Sequence, residues 1–342
     1  MKNNPHRSII IWLLAGCFLI YAMVVIGGIT RLTHSGLSMV EWNPIIGSLP
    51  PITDADWQEP FEKYKQSPEY QIINNQFSLE EFKSIYWWEY IHRLLGRIIG
   101  VVFIIPFVYF LLKKKFDKPL LKKMYVLLLL GAFQGVLGWF MVKSGLQKEP
   151  HVSHYRLAAH LTSAFTVFGF TFWYAMDLLY FKVIEENVTL KNIKKWSTIM
   201  FAVIVVQIIY GAFVAGLRAG LFYNTYPTMG GEFMPETVSS FDTFWENCLE
   251  NPAGIQFIHR NIAIVVAGMV LFVWWKSRKM GLSELQKKAS NFMLGVVAVQ
   301  FILGVVTLLY AVPVTLGVLH QMGAFFLFAA ALFFIHSLRK TN

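Results

Sequence analysis

Four histidines lie within apolar stretches of this sequence, and their side chains could ligate a metal. They are His92, His160, His259 and His320. Ionisable side chains are costly in lipid and tend to mark function there. Two imidazoles at the same depth on neighbouring helices can bind a heme iron from both faces. One such histidine could equally well hydrogen-bond a neighbouring helix, but four of them favour a cofactor.

An internal repeat sorts the four histidines into two pairs. Three motifs recur in the same order and at nearly the same separation: Tyr90–Arg93 and Phe257–Arg260, Gln134–Gly138 and Gln300–Gly304, Leu157–Leu161 and Gly317–Gln321. The sequence therefore predicts a duplication of four helices, with two histidines in each half. Zinc would prefer one clustered site with a carboxylate or thiolate, which two separate pairs do not favour.

The two halves differ beside their first histidine. Glu89 lies one helical turn before His92, whereas the neutral Gln256 lies at the corresponding place before His259. A carboxylate in one half alone suggests chemistry there and a resident prosthetic group in the other half. Alternatively, Glu89 only interacts favourably with the dipole at the start of its helix.

Two arginines directly follow the first histidine of each half. Arg93 and Arg260 occupy equivalent places in the repeat. Heme propionates need cationic partners, and arginine offers them bidentate contacts, so these two residues are the candidate propionate ligands. The remaining histidines are expected to be solvated or incidental; they are His34, His151 and His154 on one side and His6 and His336 on the other.

Membrane helices must carry these residues, because the chain is 56% hydrophobic and only 15% charged, unlike an ordinary soluble domain. Eight runs are long enough to span a bilayer, near residues 8–27, 91–112, 121–142, 156–180, 196–216, 256–275, 289–310 and 314–337. The predicted fold class is an all-α integral membrane protein whose eight transmembrane helices form two pseudo-symmetric four-helix bundles. The predicted halves are residues 1–180, with a long outer loop, and residues 194–338.

The distribution of charge predicts the orientation of these helices. The net charge of +10 does not indicate a nucleic-acid partner, because lysine and arginine concentrate in the short segments between apolar runs. With eight crossings, these segments lie on one side and both termini are cytoplasmic. The outer side then carries two long segments, about 28–90 and 217–255. Within the first, Gln58–Tyr70 and Ser78–Tyr86 are predicted to form short amphipathic helices over the outer face.

Several strings in this sequence resemble the heme A synthase family. They are Gly27–Met39, Trp42–Pro44, Gly47–Pro51, Phe61–Tyr70, Trp87–Arg97, Tyr155–Leu161 and Asn224–Pro227. The resemblance covers nearly the whole chain and includes outer-loop strings that membrane composition would not produce by chance. Some members carry a cysteine pair in the first outer loop. Residues 28–90 contain no cysteine, so the chain resembles the cysteine-free class of bacteria and mitochondria.

The resemblance implies an activity and a division of labour. The family oxidises the C8 methyl of heme O to the formyl group of heme A for cytochrome oxidase, by successive hydroxylations and loss of water. It implies that His92 and His160 bind the substrate heme, and that His259 and His320 ligate the iron of a resident heme b (iron protoporphyrin IX). The implied catalytic residue is Glu89, which would stabilise positive charge at the oxidised methyl or position water.

The strongest alternative is a diheme cytochrome b that carries electrons within the membrane on the same four histidines. Glu89 without a counterpart and the loop strings disfavour it. A transporter built on repeats would need interrupted helices near the midplane, whereas the polar groups here lie toward the outer end. The expected location is the bacterial inner (cytoplasmic) membrane. The expected partners are heme O, the heme O synthase (a farnesyltransferase), cytochrome oxidase assembly factors and lipid, with an unidentified electron acceptor and no nucleic acid; an oligomer is compatible with the sequence.

Overall fold

The structure, a computed structural model, describes residues 4–41, 49–145, 152–180 and 188–339. Within these ranges the regular secondary structure is helical, apart from one isolated bridge between Met229 and Glu232. The α-helices are α1 (Arg7–Leu32), α2 (Asp54–Lys65), α3 (Pro68–Ile72), α4 (Leu79–Leu112), α5 (Lys118–Gly145), α6 (His154–Leu179), α7 (Val188–Gly216), α8 (Phe244–Leu249), α9 (Pro252–Arg278), α10 (Glu284–Leu309) and α11 (Val314–Ser337).

Seven of the described helices are long and apolar enough to cross a membrane: α1, α4, α5, α7, α9, α10 and α11. The prediction of an all-helical, multi-pass membrane protein is thereby confirmed. The predicted span near 156–180 corresponds to α6, which has sufficient length at 26 residues. Its hydropathy is lower because serine, threonine and histidine interrupt its apolar run. An eighth crossing and the cytoplasmic location of both termini stay predictions.

The chain divides into two compact units, each with two of the four histidines. The N-terminal unit is Ala15–Phe168, with most of α1, all of α2 to α5 and the first part of α6. The C-terminal unit is Met1–Leu14 together with Gly169–Asn342, with α7 to α11 and the remainder of α6. The predicted halves, residues 1–180 and 194–338, stay a prediction.

Helix α4 begins well before the apolar run that predicted it. The side chain of Ser78 accepts a hydrogen bond from the Glu81 amide, and the Glu81 carboxylate accepts one from the Ser78 amide at 2.8 Å, which forms a capping box. No glycine or proline occurs between Ser78 and Leu95, so nothing ends the helix before the apolar run. The prediction of a separate short helix at Ser78–Tyr86 is therefore wrong, because these residues form the first turns of α4.

The predicted helix at Gln58–Tyr70 is observed as two helices with different limits. Thr53 and Asp56 form a capping box that starts α2 at Asp54, ahead of the prediction. The side chain of Ser67 caps α3, whose first residue is Pro68, and a proline at the first helical position is compatible with a new start.

An aromatic cluster packs α2 against the first turns of α4. Tyr64 and Phe82 are fully buried, and their ring centroids lie 5.1 Å apart. Phe61 lies 5.1 Å from the same Phe82 ring, and Trp57 lies 5.0 Å from Tyr86. Such ring pairs stabilise beyond the area they bury. The cluster therefore holds the first outer segment on the helix that carries Glu89 and His92.

Phe82→Ala should loosen this outer layer. Removing a fully buried phenylalanine costs about 3–5 kcal/mol, so we expect a clearly lower midpoint of thermal unfolding for the protein in detergent. Ile72→Ala is the control, because Ile72 on α3 is 64% exposed and should change the midpoint much less. Equal shifts for the two variants would show that the cluster does not hold this layer.

Candidate functional site

His92 of the N-terminal unit faces a glycine of α1. A Cβ added at Gly27 would lie 3.5 Å from Nε2 of His92 and 3.8 Å from its Cε1. The α1 backbone therefore approaches the imidazole to within ordinary van der Waals distance. Across the described residues, no hydrogen bond reaches the His92 ring.

His160, the second histidine of this unit, is held by Gln134 of α5 and lies against Gly138 of the same helix. Nε2 of Gln134 donates to the backbone oxygen of His160 at 3.1 Å and lies 3.3 Å from ring Nδ1. Ser163 donates to the Gln134 side-chain oxygen and to the same backbone oxygen. A Cβ added at Gly138 would lie 3.2 Å from Cε1 of His160. His92 and His160 are within electrostatic reach of each other.

The first histidine of the C-terminal unit has the same kind of support. Nε2 of Gln207, on α7, donates to the backbone oxygen of His259 at 3.0 Å and lies 3.4 Å from Nε2 of its ring. A Cβ added at Gly211 would lie 3.3 Å from Cε1 of His259. Both the ring and its backbone are thus fixed by one face of α7.

His320 is the second histidine of this unit, and Gly304 of α10 lies against it. A Cβ added at Gly304 would lie 2.8 Å from Cε1 of His320, closer than such carbons normally approach. Gln300, one turn earlier, places its side-chain oxygen in the space that a Cβ at Gly323 of α11 would fill. His259 and His320 are within electrostatic reach of each other.

The surroundings of the C-terminal pair fit a ligand bound at the imidazoles. Nδ1 of His259 and Nδ1 of His320 are buried and have no hydrogen-bond partner in the described chain. A buried polar atom without a partner is costly unless something satisfies it. No group of three or more metal-binding side chains occurs within the described ranges. The imidazole pairs, each facing glycine backbones, are therefore the candidate iron ligands.

Glu89 is buried and both of its carboxylate oxygens are engaged. It is 2% exposed. Oε1 accepts from Nη2 of Arg93 at 2.6 Å, and Oε2 accepts from the hydroxyl of Ser38 at 2.7 Å and from the amide of Met39 at 2.8 Å. Since α4 begins at Leu79, Glu89 lies well inside the helix, and its alternative role at the helix start is excluded.

The two arginines of the repeat bind backbone carbonyls of the outer segments. Arg93 donates to the carbonyl of Met39 at 2.8 Å. Arg260 donates to the carbonyls of Tyr223 at 2.5 Å and Thr225 at 2.7 Å, while its Nε is buried without a partner in the described chain. Both residues tie an outer segment to a histidine-bearing helix. Their role toward heme propionates stays a prediction.

Gln256 takes the place of Glu89 in the C-terminal unit. It is also 2% exposed, and its Nε2 donates to the carbonyl of Tyr223 at 3.1 Å. A neutral amide thus makes the loop contact that a carboxylate makes in the N-terminal unit. Glu89 and Gln256 are thus equally buried, and they differ in charge.

Two further histidines differ from expectation. His154 is 6% exposed, so the prediction that it is solvated is wrong. His336, which looked incidental, is also buried, and its Nε2 lies 2.9 Å from the Asp177 carboxylate, which accepts from Arg339 at 3.0 Å. His34 is exposed as expected, and the prediction for His151 falls outside the described residues.

Sequence reasoning missed Gln207 and Gly211. They are four residues apart, as are Gln134 and Gly138 and also Gln300 and Gly304. A glutamine four residues before a glycine on an apolar helix was therefore a signal present three times. The repeat comparison used only two of these occurrences, as markers of duplication.

The comparisons with known proteins agree over almost the full length. Residues 10–332 match the model of a family described as cytochrome oxidase assembly protein. A heme A synthase of Flavobacterium psychrophilum is 53% identical over 344 residues, covering 99% of this chain and 100% of that protein. The heme A synthase of Nitrosospira multiformis is 50% identical, covering 99% and 96%, and that of Wolbachia pipientis wMel is 43% identical, covering 98% and 93%.

Gly304→Ala should displace the His320 ring, because the added carbon would lie 2.8 Å from Cε1. Gly295→Ala on the same helix is the matched control, since a Cβ there meets no atom within 4 Å. We expect roughly tenfold weaker heme retention in the first variant and none of this loss in the second. Heme per protein, from pyridine hemochromogen spectra, measures the effect. Equal heme content in both variants would contradict the assignment of His320.

Proposed function

The chain belongs to the family of cytochrome oxidase assembly proteins, and we propose from this premise that it acts as a heme A synthase on heme O. The observation that carries the proposal is the full-length similarity to curated heme A synthases, joined to two imidazole pairs on apolar helices. The diheme electron-carrier alternative finds no support in these comparisons.

The proposed reaction converts the C8 methyl of heme O into a formyl group. Each of two hydroxylations replaces a C–H bond by C–O and removes two electrons, and loss of water from the resulting diol leaves the aldehyde. Counted together with one water molecule, the methyl group becomes a formyl group with the release of four electrons and four protons. An electron acceptor associated with the membrane must receive these electrons.

The N-terminal unit is the proposed substrate site. His92 and His160 would ligate the iron of heme O and so fix the porphyrin relative to α4 and α6. Glu89 lies on the same helix as His92, one turn away. The equivalent position of the C-terminal unit is occupied by the neutral Gln256, so the two positions differ in charge. That difference supports placing the chemistry in this unit.

We assign Glu89 the role of stabilising positive charge that develops at the oxidised methyl. Arg93, Ser38 and Met39 hold both carboxylate oxygens in place, so the charge is preorganised rather than mobile. The ion pair with Arg93 offsets much of the cost of burying the carboxylate. The same contacts close the first outer segment onto α4, which would limit the access of water.

The C-terminal unit is the proposed site of a resident heme b. His259 and His320 would ligate its iron, and their buried, unpartnered Nδ1 atoms support a ligand there. A resident heme supplies one-electron transfer. Arg260, with one buried unpaired donor at Nε, is the proposed propionate contact of this unit, and Arg93 that of the other.

We further propose that the protein works in the bacterial inner membrane and receives heme O from the enzyme that farnesylates heme. The seven apolar helices and the family's place in cytochrome oxidase assembly support this setting. Its product would pass to cytochrome oxidase or its assembly factors.

Expression in a host that makes heme O but no heme A tests the proposed activity. We expect heme A to appear in acidified solvent extracts separated by reversed-phase chromatography. The His92→Ala protein serves as the control and should yield no heme A while it keeps a b-type spectrum. A folded, heme-loaded wild-type protein that never yields heme A would overturn the proposed function.

Glu89→Gln should retain b-type heme but lose conversion of heme O by roughly 10²–10³-fold, as when one electrostatic stabiliser is removed from an active site. The substitution reproduces the amide found at Gln256. Ser38→Ala is the matched control, because it removes one hydrogen bond to the carboxylate and keeps the charge. If Ser38→Ala loses as much conversion as Glu89→Gln, the carboxylate acts through loop structure and not through charge.

A further inference from the structure

The two units differ at a second position beside the first histidine, and this difference bears on which heme stays. In the C-terminal unit Gln207 lies four residues before the glycine that faces His259. In the N-terminal unit Met23 lies four residues before Gly27, the glycine that faces His92. Both units thus have a glycine against the first histidine. The residue one turn before that glycine has an amide side chain in the C-terminal unit and a thioether side chain in the N-terminal unit.

Gln207 fixes His259 through two contacts. Its Nε2 donates to the backbone oxygen of His259 at 3.0 Å and lies 3.4 Å from Nε2 of the ring. The bond to the backbone oxygen holds this turn of α9 in place, and groups that position a ligating imidazole commonly change metal affinity by about 10–100-fold. Gln207 would thereby hold His259 in place to bind an iron.

Met23 cannot act in this way on His92. Its terminal methyl packs against α4 one turn beyond the histidine, 3.4 Å from where a Cβ at Gly96 would lie. A thioether donates no hydrogen bond. In the described part of the chain, no hydrogen bond reaches the His92 ring, so no hydrogen bond fixes its orientation.

The second histidines do not account for any difference between the sites. His160 and His320 each face a glycine, Gly138 and Gly304 respectively. Each of these glycines is preceded by a glutamine at the same spacing, Gln134 or Gln300. The residue types behind the second histidine are thus shared by both units, and the exchange of Met23 for Gln207 is confined to the first.

We propose that Gln207 is a positioning residue that retains the resident heme by fixing His259, and that Met23 leaves His92 releasable so that heme in the N-terminal unit can be exchanged. A substrate heme must enter and its product must leave, whereas a resident heme must remain. The inference rests on the proposed function for this distinction. Its physical content, a slow and a fast heme site, can be measured without turnover.

Reciprocal substitution in the full-length protein, purified in detergent and loaded with hemin, tests the inference. Heme loss is followed by transfer to excess apomyoglobin, with His259→Ala used to assign the phase that belongs to the N-terminal unit. We expect a fast and a slow phase in the wild-type protein. Met23→Gln should slow the fast phase about tenfold, and Gln207→Met should speed the slow phase about tenfold.

Met23→Leu is the matched control, because it keeps an apolar side chain of similar size and should leave the fast phase unchanged. If Met23→Leu slows heme loss as much as Met23→Gln does, packing and not the amide controls exchange, and the inference is wrong. Unchanged phases in both reciprocal variants also overturn it. Should Gln207→Met not fold, Met23→Gln decides alone, because it adds a donor and removes no existing hydrogen bond.

Electron paramagnetic resonance of the oxidised protein gives a second readout. Fixing the His92 ring in Met23→Gln should narrow the low-spin signal of the N-terminal heme, whereas a purely structural amide would leave that signal unchanged. Failure of the proposed function is distinguishable: a protein that makes no heme A but shows the expected change in phases retains the inference and loses only the enzymatic assignment.

Discussion

The contact between an imidazole and a glycine of the neighbouring helix is the constraint on which both candidate sites depend. An added Cβ would lie 2.8–3.5 Å from the ring at Gly27, Gly138, Gly211 and Gly304. Small residues allow helices in a membrane to approach closely. Here each glycine lets its helix approach the imidazole side chain of the neighbouring helix. The glycine backbone fills one side of each ring without competing for its nitrogens. An imidazole that would be costly in lipid is thereby packed against protein backbone.

The outer segments depend on a second interaction, made at equivalent places in the two units. Arg93 and Arg260 each follow a histidine and donate to loop carbonyls. A guanidinium has five donors in a fixed plane, so one side chain can fix several carbonyls and still retain a donor, as the unpartnered Nε of Arg260 shows. Loop anchoring and propionate binding are therefore compatible uses of Arg260. Because the loop is fixed to the helix that carries the histidine, the cover of each candidate site and its candidate iron ligand form one structural element.

Hydropathy predicted the apolar helices, and residue type singled out the four histidines and Glu89 within them, because lipid burial imposes a strong pattern on sequence. Other features depend on contacts that the sequence pattern does not encode. The extension of α4 through Ser78–Tyr86 follows from the absence of a helix breaker, which a search for apolar runs does not consider. The burial of His154 and the pairing of His336 with Asp177 require knowledge of neighbouring helices. The sequence does not distinguish Gln207 from other polar residues of membrane helices, because its role depends on the hydrogen bond that it donates to His259.

Two residues beside the first histidine differ in chemistry between the two units. The N-terminal unit differs from the C-terminal unit by Met23 for Gln207 on the first helix and by Glu89 for Gln256 on the next, both beside the first histidine. The residues around the second histidine, a glutamine and a glycine on the adjacent helix, are the same in the two units. The helices around the second histidine thus hold its imidazole in the same way in both units. Around the first histidine, the exchange of Glu89 for Gln256 changes charge, and the exchange of Met23 for Gln207 changes hydrogen bonding. A duplicated bundle can acquire chemistry in this manner without altering the framework that both halves need to fold, because each exchanged residue already lies beside the helix that carries the first histidine.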